Sequence, residues 1–441
     1  MFAVFIGLLV TGYPVAFVLA GVAMIFALAG EALNHAGIDV DADLGYLGLG
    51  VDRIYGTMSS YGLVPLPLFI FMGHMLDKSG VAAELLRALQ TLLGRVAGGL
   101  ALAVTLIGVI LAASTGIIGA SVVLLGTLAL PAMLEDRYRP EFAVGVVASS
   151  GCLGILLPPS IMLVLMADQM QLSVGDLFLG AVFPGLILAG LYAAYIALVA
   201  RIRPDIAPGP PPRERDPQGL ARAALRLART LVAPLALIVA VLGSIFFGVA
   251  SPSEAAGVGA AGAALLALAR RRLDVATLRE VSRATARTTS FIFAIFLGAT
   301  CFSVVLRGLG GDAVIESAIT ALPLGPSGIV LFLMGLVFAL GFFLDWIEIT
   351  LIVLPLVEPI TAALGIDALW FTILVAMCLQ TSFLTPPVGF ALFYLKGVSP
   401  AGIELSHLYR GVAPFVALQL LALAILFAWP RLATWLPSVA Y

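Results

Sequence analysis

A pair of adjacent prolines occurs twice in this chain, each time inside an apolar stretch. Pro158-Pro159 lies in GILLPPS and Pro386-Pro387 lies in SFLTPPV, an offset of 228 residues (386 − 158). The same offset carries Pro131 onto Pro359, and it places the run LFIFMGHML close to FLGATCFSV. Proline interrupts an α-helix because it lacks an N–H group and clashes with the preceding turn. The chain is therefore expected to consist of two related halves, each broken at the same place.

The surroundings of these breaks are too apolar for a soluble protein. Hydrophobic residues make up 61% of the 441 positions and charged residues only 11%. A chain of this kind has lipid as its solvent, so it is expected to be a polytopic α-helical membrane protein. The net charge of −2 gives no indication of a nucleic-acid partner. The three cysteines lack any CxxC spacing, which favours buried small residues over a disulfide or a metal site.

Several apolar segments are shorter than the roughly 20 residues that span a bilayer, and they come in pairs. Segments 98–112 and 117–134 meet around Ser114, and segments 326–342 and 346–362 meet around Asp345. Each pair predicts a re-entrant hairpin, because non-helical backbone at membrane depth is tolerated where protein or a watery cavity surrounds it. Two repeats with broken helices are typical of a secondary transporter whose binding site lies where the halves meet.

Charge patterning predicts the topology. Arg201–Arg229 contains seven arginines and a proline run, and Arg270–Arg287 is also basic. Lys/Arg-rich loops stay in the cytoplasm, where the first segment is expected to meet anionic lipid. The first-half counterpart of the second cluster is the acidic segment Glu31–Asp52. The opposite charge of equivalent segments favours inverted halves, with the acidic segment on the outside of the membrane. The alternative is that this loop was simply translocated and its acids are incidental.

These signals divide the chain into five parts. They are scaffold helices with an acidic loop (1–62), a first repeat (63–200), an Arg/Pro-rich linker (201–229), a second scaffold pair with a basic loop (230–287) and a second repeat (288–441). A full span precedes Ser251 but only ten residues precede Thr11, so Met1 is expected to be an internal start.

Five ordered motifs carry a family resemblance. They are GYPVAFVLAGVA, PLFIFMGHMLDKSGVAAELL, GRVAGGLALA, GILLPPSI and TPPVGFALFYLKGV, and the likeness runs from about Gly12 to Phe427. The chain resembles the DctM-like large membrane subunit of tripartite ATP-independent periplasmic (TRAP) transporters. The resemblance implies an elevator-type fold in the bacterial inner membrane and sodium-driven uptake of an organic acid, without a cofactor. It also implies two partners, a small four-helix membrane subunit and a periplasmic substrate-binding protein.

A sodium site within a membrane needs oxygen ligands, which unwound carbonyls and hydroxyls supply. The first-half candidates are Ser114, Thr115, Gly116, Gly154 and Pro158. Where many family members have Ser-Gly-Ser-Ser at the first hairpin tip, this chain has Ala-Ser-Thr-Gly, so ion coordination there is open. The alternative for these small residues is close helix packing in lipid.

The second half offers candidates in corresponding places. They are Gly341, Asp345, Thr381, Ser382 and Thr385. An ionisable group at membrane depth is a functional candidate by default, and the resemblance places an acid at the position of Asp345 near the substrate and ion region. The alternative is a hairpin tip that reaches water, with Asp345 and Glu348 simply solvated.

No residue is assigned to substrate binding. Arg307, Arg137 and Arg139 are basic candidates for an anion, but the sequence favours positions at membrane edges. A stand-alone sodium/dicarboxylate symporter of the divalent-anion family is the alternative function, although its Ser-Asn-Thr tips are missing here. An intramembrane enzyme is disfavoured because no His/Glu metal motif, GxSxG motif or GxGD aspartate pair is present.

Overall fold

The computed structural model describes residues 1–38, 40, 42–93, 96–115, 118–209 and 217–440, without the side chains of 112–115, 217–224 and 226. In the described part of the chain, helices are the only regular secondary structure. The first half contains α1 (Phe2–Leu9), α2 (Val15–His35), α3 (Leu44–Met58), α4 (Pro65–Lys78), α5 (Val81–Leu93), α6 (Gly99–Thr115), α7 (Ile118–Glu135), α8 (Pro140–Cys152), α9 (Ile161–Gln169) and α10 (Val174–Ile202). The second half contains α11 (Pro217–Phe246), α12 (Pro252–Ala269), α13 (Val275–Gly308), α14 (Gly311–Thr320), α15 (Pro326–Leu340), α16 (Trp346–Glu348), α17 (Leu354–Ala363), α18 (Ala368–Leu384), α19 (Phe390–Val398), α20 (Leu405–Ala428) and α21 (Arg431–Ala440).

Three short turns complete the helices. They are 3₁₀ turns at Tyr61–Leu63 and Leu153–Ile155 and a π-helical turn at Ile349–Val353, which joins α16 to α17. Eight helices in the described ranges are long and apolar enough to cross a membrane, or nine if the bent pair of α3 and α4 counts as one span. The prediction of an all-α polytopic membrane protein is confirmed.

The 228-residue offset reappears in the helix boundaries. The span α7 covers 118–135, and α16 through α17 covers 346–363, which differ by 228 at both ends. Both Pro-Pro bonds are cis. A residue with left-handed backbone follows each of the two spans at the same offset: Arg137 (φ 62) after α7 and Gly365 (φ 66) after α17. Both pairs of short helices therefore lie where the sequence predicted hairpins.

Local sequence accounts for several helix starts. Pro140 and Pro326 occupy first-turn positions, where the missing N–H has no intrahelical partner to lose. Ser251 and Glu254 form a reciprocal capping box at the start of α12. Asp274 accepts the Thr277 N–H at 2.7 Å at the start of α13. This bond holds the pKa of Asp274 below its usual value because it stabilises the carboxylate.

Two segments predicted as loops are largely helical. The basic segment Arg270–Arg287 is a short turn followed by the start of α13, and the acidic segment Glu31–Asp52 contains the end of α2 and much of α3. Helix α13 has 34 residues, which is about 51 Å of helix against a hydrocarbon core of about 30 Å. Its basic first turns are therefore long enough to continue the span beyond the bilayer instead of forming a loop.

Helices α4 and α13 run antiparallel. Lys78 at the end of α4 forms an ion pair of 2.6 Å with Glu280 near the start of α13. Leu63, just before α4, lines the same cavity as Arg307 at the end of α13. Under the offset, α4 corresponds to 293–306 of α13, so this equivalent pair points in opposite directions. Opposite directions of this pair are compatible with inverted halves, and the inverted arrangement stays a prediction.

Each half packs across the boundary onto the other. Helix α4 packs on α12, α2 packs on α13, and α8 packs on α20. The α8–α20 contact depends on glycine: a Cβ added at Gly145 would lie 2.2 Å from the carbonyl oxygen of Gly411. Small residues allow helix backbones to approach closely in a membrane, so the two halves form one continuous body.

Candidate functional site

Each hairpin packs on the helix that follows the Pro-Pro break of the other half. Helix α7 of the first hairpin contacts α19 of the second half, and α17 of the second hairpin contacts α9 of the first half. Gly119, near the start of α7, lies against the ring of Tyr394: an added Cβ would be 3.2 Å from its Cζ. The start of α7 in the first hairpin therefore packs against α19 of the second half.

The second tip is a non-helical break between α15 and α16. Helix α15 ends at Leu340, and Asp345 starts α16 by accepting the Trp346 N–H at 2.8 Å. Gly341 packs directly on α18, because an added Cβ would lie 2.2 Å from Oγ of Ser382 and 2.8 Å from its Cβ. The structure thus brings together two residues that the sequence had proposed as ion ligands.

The hydroxyl groups at the end of α18 donate to carbonyls of their own helix. Thr381 donates to Met377 at 3.0 Å, and Ser382 donates to Leu379 at 2.8 Å. Thr385 donates to the carbonyl oxygen of Thr381 at 2.7 Å and lies at the point where the helix stops. A hydroxyl that donates its hydrogen keeps lone pairs on its oxygen, so each of these groups can still accept a bond or bind a cation.

In the first half the hairpin tip is only partly described. Helix α6 ends at Thr115 and α7 begins at Ile118, which matches the predicted break. The side chains of Ser114 and Thr115 and the whole of Gly116 lie outside the described residues, so their proposed role stays a prediction.

The Pro-Pro break of the first half is described in full. Gly154 lies in the buried turn Leu153–Ile155, which contacts both α6 and α7, and Pro158 is buried beyond it. Ser160 donates to the carbonyl oxygen of Ile155 at 2.5 Å. The break and the first hairpin are thus packed together, as Ser382 and Gly341 are in the second half.

Three buried polar side chains near the second tip were not proposed from the sequence. Glu348 is only 3% exposed, and among the described residues neither its Oε2 nor Thr350 Oγ1 has a hydrogen-bond partner. Gln380 is fully buried, and neither of its amide atoms is paired within the described part of the chain. Glu348 is not simply solvated, which removes part of the alternative interpretation of this tip. The signal that could have found it is a second acid three residues after Asp345 in an apolar run.

A cavity of about 440 Å³ with polar and apolar lining residues lies between the halves. Arg53, Ser60 and Asp168 line it from the first half, and Arg307 and Glu358 line it from the second. Arg307 was set aside in the sequence as a residue at the membrane edge, and Arg53 was not considered. The two arginines are 254 positions apart (307 − 53), so no local pattern could have shown that they share a cavity.

Comparison with known proteins assigns the fold and the motifs to one family. The family model described as "Tripartite ATP-independent periplasmic transporter, DctM component" matches residues 2–432. The chain belongs to the DctM family. This match covers nearly the whole chain and confirms the resemblance drawn from the five motifs. The chain is thus the large permease component of a TRAP transporter and a multi-pass protein of the inner membrane.

Curated relatives agree with this assignment. The C4-dicarboxylate TRAP transporter large permease protein DctM of Pseudomonas aeruginosa is 32% identical over 387 residues, covering 88% of each chain. The isethionate TRAP transporter permease protein DctMQ of Oleidesulfovibrio alaskensis is 29% identical, covering 96% of this chain and 64% of that protein. These relatives are transporter permeases and not enzymes.

A solved structure shows the same fold at low identity. The YdaH transporter of Alcanivorax borkumensis aligns with a TM-score of 0.66 at 14% identity, covering 94% of this chain and 98% of that one. At this identity the likeness supports the fold alone.

Proposed function

We propose that this DctM chain couples the inward movement of sodium to the uptake of an organic acid. The observation that carries the proposal is the break at the second hairpin, where Asp345 follows Gly341 by four residues and Gly341 packs on Ser382 of α18. Hard oxygen ligands and helix ends are what a sodium ion needs in order to leave water within a membrane.

The ligand chemistry of this break suits sodium. The hydroxyl oxygens of Thr381, Ser382 and Thr385 retain lone pairs, and the non-helical stretch 341–344 leaves backbone carbonyls outside the helical ladder. Asp345 contributes a negative charge at the same break. Ser114, Thr115, Gly116, Gly154 and Pro158 are proposed to form a second, related sodium site in the first half.

The substrate class is proposed from the relatives. Their names specify C4-dicarboxylates and isethionate, which share an acidic group, a carboxylate or a sulfonate. We infer that this chain also carries a small organic acid, delivered by a periplasmic binding protein. A small membrane subunit completes the proposed complex, since the name DctMQ and the uncovered third of that relative are compatible with a second component in one chain. Transport would follow an elevator motion of the hairpins against the scaffold.

The test is uptake into proteoliposomes that contain this chain, its small subunit and the binding protein. Asp345→Asn keeps size and hydrogen bonding but removes the charge, and the exposed Asp312 supplies the matched control Asp312→Asn. We expect the sodium concentration for half-maximal uptake to rise about tenfold or more in the first variant, because a lost ligand costs on the order of 1–3 kcal/mol. The control should keep the wild-type value.

Two results would contradict the proposal. Concentrative uptake by this chain alone would exclude the dependence on partners. An unchanged sodium requirement in well-expressed Asp345→Asn would exclude Asp345 from the coupling site while leaving the permease assignment intact.

A further inference from the structure

We propose that the cavity between the halves is the binding site for the acidic group of the substrate, with Arg53 and Arg307 as its contacts. The proposal rests on the proposed function, because it names the residues that would recognise an organic anion there. Its volume of about 440 Å³ falls within the range of roughly 300–1,000 Å³ that small-molecule sites occupy.

Two arginines and two acids, Asp168 and Glu358, line the cavity, so its formal charges balance and the argument for an anion depends on the unpaired guanidinium groups. Among the described residues, neither Arg53 nor Arg307 forms an ion pair, although both line the cavity. Asp168 already receives hydrogen bonds from Gln169 at 2.9 Å and Ser60 at 3.5 Å. Guanidinium groups present a planar fork of N–H donors that matches a carboxylate or a sulfonate. Two guanidinium groups without an ion pair at one cavity therefore suit the acidic group of a small organic acid.

The cavity is placed to act during transport. One wall is α3 and α13, which carry Arg53 and Arg307 and belong to the proposed scaffold. The opposite wall is the end of α9 and the face of the second hairpin that includes Pro355 and Glu358. An anion held here would lie between the scaffold and the hairpin that contains the candidate sodium site. Substrate and sodium would then act on the same moving element.

The first experiment tests the charge of the cavity without any transport. Ser303→Cys, in a Cys301→Ser background, introduces a thiol one helical turn from Arg307 on the cavity wall. The rates of labelling by an anionic sulfonatoethyl and a cationic trimethylammonioethyl methanethiosulfonate are compared in the full chain. We expect Arg307→Gln to lower the anionic-to-cationic rate ratio at least about fivefold, as one unit charge a few ångströms away would in a watery cavity. Arg307→Lys should retain most of the ratio.

The second arm tests recognition. Succinate and isethionate should each slow labelling at position 303, whereas the neutral diamide of succinate should not. Arg53→Gln and Arg307→Gln should remove this protection. Arg279→Gln, an exposed arginine at the other end of α13, should behave as the wild type.

The outcomes separate this inference from the proposed function. If neither arginine substitution changes the rate ratio and neither anion protects, the cavity is not an anion site. If the cavity behaves as expected but the reconstituted complex shows no sodium-dependent uptake, the anion site stands and the proposed coupling fails.

Discussion

Gly341→Ala tests whether the α15–α18 contact is only packing or also part of an ion site. The added Cβ would lie 2.2 Å from Oγ of Ser382 and 2.8 Å from its Cβ, against an optimum of about 3.5–4.0 Å between carbon atoms. Rotating the hydroxyl away would break its bond to Leu379 and would still leave the two Cβ atoms too close. The hairpin must therefore move by roughly 1 Å, at an overpacking cost of about 1–3 kcal/mol.

The second-site change Ser382→Gly separates the two roles. It removes the Oγ and Cβ atoms that collide with the new methyl group, so the double variant should regain most of the lost thermal stability. The hydroxyl would still be missing. If Ser382 binds sodium, the double variant should fold well but need about tenfold more sodium for half-maximal uptake, because a buried ligand has been lost.

The assays are thermal unfolding of the purified chain and sodium titration of uptake in the reconstituted complex. A double variant with restored stability and a wild-type sodium requirement would refute ligation by Ser382 and leave packing as its role. A Gly341→Ala variant as stable as the wild type would refute the packing argument itself.

Further predictions concern topology and packing. From the periplasmic side, a cysteine probe should be labelled at Asp43 and spared at Pro211, since the arginine clusters are expected in the cytoplasm; equal labelling from outside would contradict the predicted orientation. Gly145→Ala should lower stability by about 1–3 kcal/mol because its Cβ meets the Gly411 carbonyl at 2.2 Å. Gly190→Ala, which meets nothing within 4 Å, should leave thermal unfolding unchanged.

The hairpins were predictable because their signals are local. A proline pair or a polar residue inside a short apolar run is visible within a few positions. The offset of 228 between the proline pairs also relates the boundaries of whole helices in the two halves. The span 118–135 and its counterpart 346–363 follow that offset at both ends. The hydroxyls of Thr381 and Ser382 could be proposed because they lie within five residues of the Pro-Pro break.

Other features depend on tertiary contacts that no local pattern shows. Arg53 and Arg307 meet across a cavity only because the break before Leu63 and the end of α13 come together. Glu348 became a candidate only through its burial, since a carboxylate near a hairpin tip could equally have faced water. Helices α3, α5 and α14 have apolar faces that are interrupted by polar residues, so no long apolar run marks them in the sequence.

The halves share a pattern but differ where the cavity opens. Helices α3 and α4 are bent by 57° at their break, whereas the corresponding residues 275–306 form one continuous stretch of α13. Arg307 at the end of α13 lines the cavity, whereas Arg270 lies just before the start of this 34-residue helix. The cavity therefore lies at the opposite end of α13 from the ion pair of Arg270 with Glu84. Since the Arg270 cluster is predicted to be cytoplasmic, the cavity is expected to face the periplasm, where a binding protein would release its substrate.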